Sequence, residues 1–356
     1  MPTSRIPTFE LPPHLDTPAA WYGPAMAASS DWITRFSGAE LAEIESAAQN
    51  LCEAGTDLAQ LNAAHHPLPV LAPRLRRILH DVLDGRGFVL LRGLPVQRWS
   101  RHQAAAAFML IGAHLGRARP QNAKGHLLGH VKDMGLNSSD PAVRIYQTSE
   151  RQTFHTDSAD IVGLLCLQTA RSGGQSALVS STTMFNEMRK RRPDLAALLF
   201  QPLATDRRGE VAPGQQPFFN IPVFSWYAGE LSAIYQRQYI DSAQRFADAP
   251  RLTPATVEAL DLFDALSNDP ALNFLMDLEP GDIQLVHNHT LLHDRTAFVD
   301  WPEPERRRHL LRLWLAPPEA RMLPPVFAER YGSVAPGERG GVLLPAAPPN
   351  TPLDAA

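Results

Sequence analysis

The chain has 356 residues, 33 basic and 37 acidic side chains, a net charge of −4, and 44% apolar and 20% charged residues. That balance excludes a disordered chain and supplies neither a basic field for nucleic acid nor a polybasic signal for a membrane. The longest apolar run, Ala104–Ala113, is about half of what a membrane span needs.

Two cysteines, Cys52 and Cys166, cannot build a disulfide framework. The amino terminus has no charged segment followed by an apolar one, so a cytoplasmic protein is expected. Of the basic residues 30 are Arg and three are Lys, a bias of composition. An arginine therefore counts by position and not by abundance.

Residues 1–30 are Pro-rich without periodicity and read as a surface arm. Ser37-x-x-Glu40 opens a helix with a capping box, followed by Leu41, Ile44, Ala48 and Leu51 at helical spacing. A second helix is predicted over Pro73–Leu83, with Gly85 as a left-handed stop. GFVLLRG (87–93) reads as a strand, and Ser100-x-x-Gln103 caps a third helix. From about 142 the pattern shifts to short strands: 142–148, 161–168 and 176–181. The stretch 184–275 is mixed, and strands return at 282–287 and 307–315. This order predicts a mainly β core with flanking helices, not alternating βαβ units. The chain divides into an arm with helices (1–80), a core (81–320) carrying an insertion (184–275), and a Pro-rich tail (321–356).

Three segments carry candidate chemistry. In Phe154-His155-Thr156-Asp157, an extended backbone sets His155 and Asp157 on one face, able to hold two adjacent positions on a metal. Alone, such a pair is weak evidence. In Pro280–His293, three histidines crowd into seven residues. His289 and His293 have zinc-protease spacing but lack the glutamate and follow a β-like run, which rejects that reading. Spacing leaves open which of His287, His289 and His293 joins the pair. In Arg307–Leu315, Arg308, Leu310, Arg312 and Trp314 share one face; His309, Leu311, Leu313 and Leu315 share the other. Two interior guanidiniums would need anionic partners.

FHTD (154–157), SGGQSALVSS (172–181), PGDIQLVHNHTLLHDRTAF (280–298) and RRHLLRLWL (307–315) together resemble the TauD/TfdA-like iron(II)- and 2-oxoglutarate-dependent dioxygenases. The resemblance spans roughly residues 80–320. It implies a double-stranded β-helix (jelly roll) and a metal site of His155, Asp157 and His293, with Asn288 at the family's preceding asparagine. It implies Fe(II), 2-oxoglutarate and O2 as reactants, with release of succinate and CO2. Arg308 then takes the far carboxylate of 2-oxoglutarate, with Ser176 as its hydroxyl partner and Arg312 as a second arginine. Hydroxylation of a small molecule is the default outcome.

Arg151, four residues before His155, stands where taurine dioxygenase has a polar substrate contact, and points to an acidic substrate. His130, or His126, is a candidate to line the pocket. The aromatic stretch Phe218–Tyr227 could wall it, and the insertion could act as a lid. Asp157 leaves no ligand vacancy for chloride, which disfavours a halogenase. Cys166 reads as core. The competing classes are a non-catalytic jelly-roll binding protein and a cupin-like metal enzyme without 2-oxoglutarate. A homo-oligomer is compatible with the sequence.

Overall fold

The computed structural model describes residues 10–137, 143–344 and 347–355. A seven-stranded sheet runs from edge to edge as Ile33–Arg35, Phe88–Arg92, Ile283–His287, Ile161–Gln168, His309–Ala316 and Arg117–Ala118. Leu128–Val131 also pairs along His309–Ala316. A four-stranded sheet runs as Asn273–Met276, Ser176–Ser180, Leu291–Arg295 and Gln152–His155. Pairing in both sheets is antiparallel except between Ile33–Arg35 and Phe88–Arg92.

Period-two alternation assigns the faces. Leu91, Ile283, Leu165 and Leu311 form one cross-strand row of the large sheet. All four join the apolar core made with helices Gly38–Glu53, Ala72–Leu83 and Arg101–Ala113. The adjacent row, Gln284, Leu164 and Arg312, faces the other way. Leu90 and Val286 pack with Leu178 and Leu291 of the small sheet, so the two sheets meet on these inner faces. The outer face of the small sheet carries Ala177, Val179 and Leu292 against helices Ser181–Arg191, Pro193–Leu198 and Pro254–Ser267. Helices thus cover both outer faces and leave the inner ones for the site.

The expected faces of residues 307–315 hold. Leu311, Leu313 and Leu315 lie under the helices, while Arg308 and Arg312 line interior cavities. The Ser37 box is complete: Glu40 N donates to Ser37 Oγ at 3.3 Å and Ser37 N to Glu40 Oε2 at 2.8 Å. At Ser100 only half of the box forms, with Gln103 N donating to Ser100 Oγ at 3.1 Å. Gly85 is not among the left-handed glycines. It is needed because a Cβ there would sit 2.5 Å from the Asp81 carbonyl oxygen.

The expected strand at 142–148 is absent over 143–148, where Ile145–Gln147 forms a 3-10 turn; residue 142 lies outside the described residues. Alternating apolar side chains there find no neighbouring strand. The strand bearing FHTD ends at His155, so Asp157 lies just beyond it.

Residues 184–275 serve several parts of the fold. Their helices cover the small sheet, Asn273–Met276 is one of its strands, and 203–240 makes two hairpins and a short helix beside the site. Among the described residues no helix is long and apolar enough to cross a membrane.

Candidate active site

His155 and His293 are direct partners in the antiparallel pair of Gln152–His155 and Leu291–Arg295. With Asp157 they bring three donor atoms within 4.8 Å of one another. That is close to the ~4.4 Å spanned by two opposed ligand bonds of about 2.2 Å. Asp157 Oδ1 lies 3.8 Å from His155 Nε2, and its Oδ2 lies 3.8 Å from His293 Nε2.

The surroundings fix the donors. His155 Nδ1 lies 2.8 Å from the Thr153 carbonyl oxygen, which can only accept, so the proton sits on Nδ1 and the Nε2 lone pair faces the triad. Asn288 holds the Asp157 backbone at both ends. Its Oδ1 accepts from Asp157 N at 2.8 Å and its amide donates to the Asp157 carbonyl. Asp157 Oδ2 accepts from Trp314 Nε1 at 2.8 Å and from Arg312 Nη1 at 3.2 Å. Arg312 is itself oriented by Gln121 Oε1 at 2.7 Å.

Burial pushes the Asp157 carboxyl up, but the Arg312 guanidinium and the Trp314 hydrogen bond act against it and the group lies at about 2. Burial lowers His155 and takes His293 to about 3. Two neutral imidazoles beside one carboxylate are the protonation states a divalent cation requires.

The triad stands between two cavities that share Gln152, His155 and Arg312. The smaller, about 30 Å³, is also lined by His293, Ser176, Arg295 and Arg308. Arg308 is 4% exposed, and its Nη1 has no hydrogen-bond partner. Burial brings its guanidinium down to about 10. The Gly-Gly turn makes room for it: Gly174 has φ 73°, and a Cβ there would sit 2.9 Å from Arg308 Nε. Ser176 Oγ donates to Gln284 Oε1 at 3.0 Å beside this cavity. Sequence reading overlooked Arg295, although it lies in the quoted HDRTAF. It is buried against Phe298 beside Arg308, with Nε and Nη1 unpartnered. Two cations held this way at one end of a small cavity call for a carboxylate.

The larger cavity is about 320 Å³ and is lined by His155, Asp157, Arg151 and residues of 205–240. Arg151 is already engaged, bonding Asp294 Oδ2 at 2.6 Å and Asn268 Oδ1 at 2.6 Å. His130 does not line this cavity. Its cross-strand partner Leu311 faces the helix layer, and its ring bonds His309 Nε2 at 2.8 Å and the Pro352 carbonyl at 2.9 Å. His126 also lies outside it. Of the aromatic stretch, Phe219 lines the cavity, Phe218 and Phe224 pack in apolar clusters, and Trp226 and Tyr227 are exposed. Cys166 is buried and its thiol is pushed up to about 12, so it is core.

His287 and His289 are fully buried and are not part of the triad. His289 Nε2 bonds Asp160 at 2.9 Å, and Asp160 is forked by Arg339 at 2.7 to 3.1 Å. Arg339 comes from the Pro-rich tail, which therefore braces the site. Gln121 and the tail arginines gave no signal in sequence, because their partners lie far away in the chain; for Trp314 the period of two gave the face and not the partner.

Residues 54–314 match the taurine catabolism dioxygenase TauD, TfdA family. The chain belongs to this family and is an iron(II)- and 2-oxoglutarate-dependent dioxygenase. It is 31% identical over 326 residues to FR-33289 synthase of Streptomyces rubellomurinus, covering 89% of this chain and 95% of that protein. It is 30% identical over 175 residues to a uridine-5'-phosphate dioxygenase of Amycolatopsis, covering 47% and 62%. In fold it is similar to asparagine oxygenase in complex with Fe(II), 3-hydroxyasparagine and succinate. The TM-score is 0.62 at 17% identity, covering 80% of this chain and 93% of that one.

Proposed function

We propose that His155, Asp157 and His293 hold one iron(II), and that the protein hydroxylates a C–H bond of a small acidic molecule. The observation that carries this reading is the placement of the triad, its two histidines buried, beside a cavity that ends in the under-partnered guanidiniums of Arg308 and Arg295. The residues fit the metal: two neutral imidazoles and one carboxylate would hold an iron(II) and would leave room on it for 2-oxoglutarate. When bound, the iron with 2-oxoglutarate and O2 supplies the oxidising chemistry, yielding succinate and CO2.

The chain's own residues bind and orient. Arg312 and Trp314 fix one carboxylate oxygen of Asp157 and leave the other for the metal. Arg308, with Ser176 beside it, receives the far carboxylate of 2-oxoglutarate, where a planar fork makes two charge-assisted bonds. The two facing sheets form the halves of a double-stranded β-helix, with 203–240 closing the mouth and keeping water out. The relative named for a uridine-5'-phosphate substrate supports an anionic substrate here.

Succinate release from 2-oxoglutarate tests the reading. It should require iron(II) and O2 together; a protein that releases none under any metal would be a binding module.

A further inference from the structure

We propose that Gln152 is a cosubstrate-binding residue: its carboxamide donates a hydrogen bond to the iron-bound carboxylate of 2-oxoglutarate, at the end opposite the one that Arg308 receives. The inference rests on the dioxygenase reading and adds to it the group that orients the metal-bound end of the cosubstrate.

Gln152 opens the strand Gln152–His155, three residues before the first metal-site histidine. Its cross-strand partner is Arg295, as His155 is the partner of His293. Three residues of one strand therefore stand against two steps on the other, and the register shifts between them. In a regular strand, residues three apart face opposite ways, and an irregularity of this kind re-aims one of them. Gln152 Nε2 accordingly lies 2.9 Å from His155 Nε2.

The direction of that bond follows from the tautomer. His155 Nδ1 carries the proton, which it gives to the Thr153 carbonyl, so Nε2 offers a lone pair and the Gln152 amide donates to it. The same lone pair is the one a metal takes. A nitrogen–metal bond is about 2.1 Å long, so the Gln152 nitrogen lies no more than about 5 Å from the metal position. An iron that holds His155 leaves this amide N–H to the iron's other ligands.

The cavities point to which ligand that is. Gln152 lines both, with His155 and Arg312, and so stands at their junction. With one carboxylate of 2-oxoglutarate at Arg308, the other reaches the triad. One of its oxygens serves the metal, and the second keeps charge that needs a donor in a space of about 30 Å³. Neighbouring donors have other duties. Trp314 Nε1 bonds Asp157, Ser176 Oγ bonds Gln284, and Arg312 gives Nε to Gln121 and Nη1 to Asp157. Asp294 is an acceptor already answered by Arg151. Val131, Leu164, Leu278 and Leu310 make an apolar wall. A neutral amide suits the place, because it supplies the donor without setting another cation beside Arg312.

Two variants test the assignment. Gln152→Met keeps the length and removes the donor; Gln152→Asn keeps the amide but draws it back by one methylene. Each is titrated without oxygen, first with iron(II) alone by calorimetry, then, iron-loaded, with 2-oxoglutarate while the visible absorption of the chelate is recorded. Iron alone should bind within about twofold of the unmodified protein, because the three ligands are untouched. 2-Oxoglutarate should bind at least about tenfold more weakly, as loss of a hydrogen bond to a charged group demands. The chelate band should move to shorter wavelength, because removing the donor raises the acceptor orbital of the keto acid. In either folded variant, an unchanged 2-oxoglutarate affinity or an unmoved band overturns the proposal. So does a loss of iron affinity as large as the loss for 2-oxoglutarate, which would make Gln152 a support of the triad. If neither variant folds, resonance Raman spectra of the unmodified complex decide: the chelate vibrations should differ between H2O and D2O, and identical spectra overturn the proposal. Failure of the unmodified protein to form a chelate band counts against the dioxygenase reading itself, and the proposal falls with it.

Discussion

His155 and His293 face one another across an antiparallel strand pair, with ring centroids 4.2 Å apart. Strand register therefore sets the spacing of the two imidazoles. A slip of one residue would present Leu292 or Asp294 in place of His293 and turn the ligand to the other face. The pairing of Leu291–Arg295 with Ser176–Ser180 on its other side holds that register in place.

Arg308→Lys should raise the 2-oxoglutarate concentration needed for half-maximal succinate release by about ten- to a hundredfold. A point charge cannot reproduce the fork, and a charge-assisted bond is worth about 1.5–3 kcal/mol. Steady-state rates over a range of 2-oxoglutarate concentrations measure this. An unchanged requirement would remove Arg308 from the cosubstrate site.

Arg339→Met should destabilise the fold by about 3–5 kcal/mol, because it leaves Asp160 buried without its cation. Burial raises Asp160, but the His289 hydrogen bond and Arg339 outweigh it and hold the carboxyl below its usual 3.8. The stabilisation is therefore complete above pH 3.8 and is lost as pH falls through the folded value. Urea unfolding of both proteins should show the full penalty at pH 7 and a shrinking one below pH 3.8. A penalty independent of pH would mean that the pair is not its source.

His130→Ala should leave the 2-oxoglutarate dependence of succinate release within about twofold, since the ring serves His309 and the Pro352 carbonyl outside the cavity. A tenfold change would return His130 to the site.

The grouping of His155 with Asp157 was legible in a short motif and that of His293 only through the family resemblance, and the Arg308/Arg312 face was legible because a period of two separates it from Leu311, Leu313 and Leu315. Position alone could not show what holds Asp157. Asn288, Arg312 and Trp314 approach it from 131 to 157 residues away, through strand pairings that no local pattern encodes. The tail was read by its prolines, so Arg330 and Arg339 passed unnoticed; their importance lies in the Ser158 hydroxyl and the buried Asp160 carboxylate they meet. The turn at Ile145–Gln147 carries an alternating pattern, but alternation is a property of the segment, whereas a strand needs a partner.

Trypsin should cleave after Arg207 or Arg208 more slowly with iron(II) and 2-oxoglutarate than without them, if 203–240 closes over the site. Timed digestion followed by mass spectrometry measures it. Equal rates in both states would make the segment a fixed wall.

Anaerobic titration of the metal-free protein with iron(II) in the presence of 2-oxoglutarate tests the central claim most directly, by following the visible absorption of the iron–2-oxoglutarate chelate. The band should saturate at one iron per chain, and Asp157→Ala and His293→Ala should each abolish it while circular dichroism shows the fold retained. Saturation at one iron per chain in both variants would contradict His155, Asp157 and His293 as the iron site.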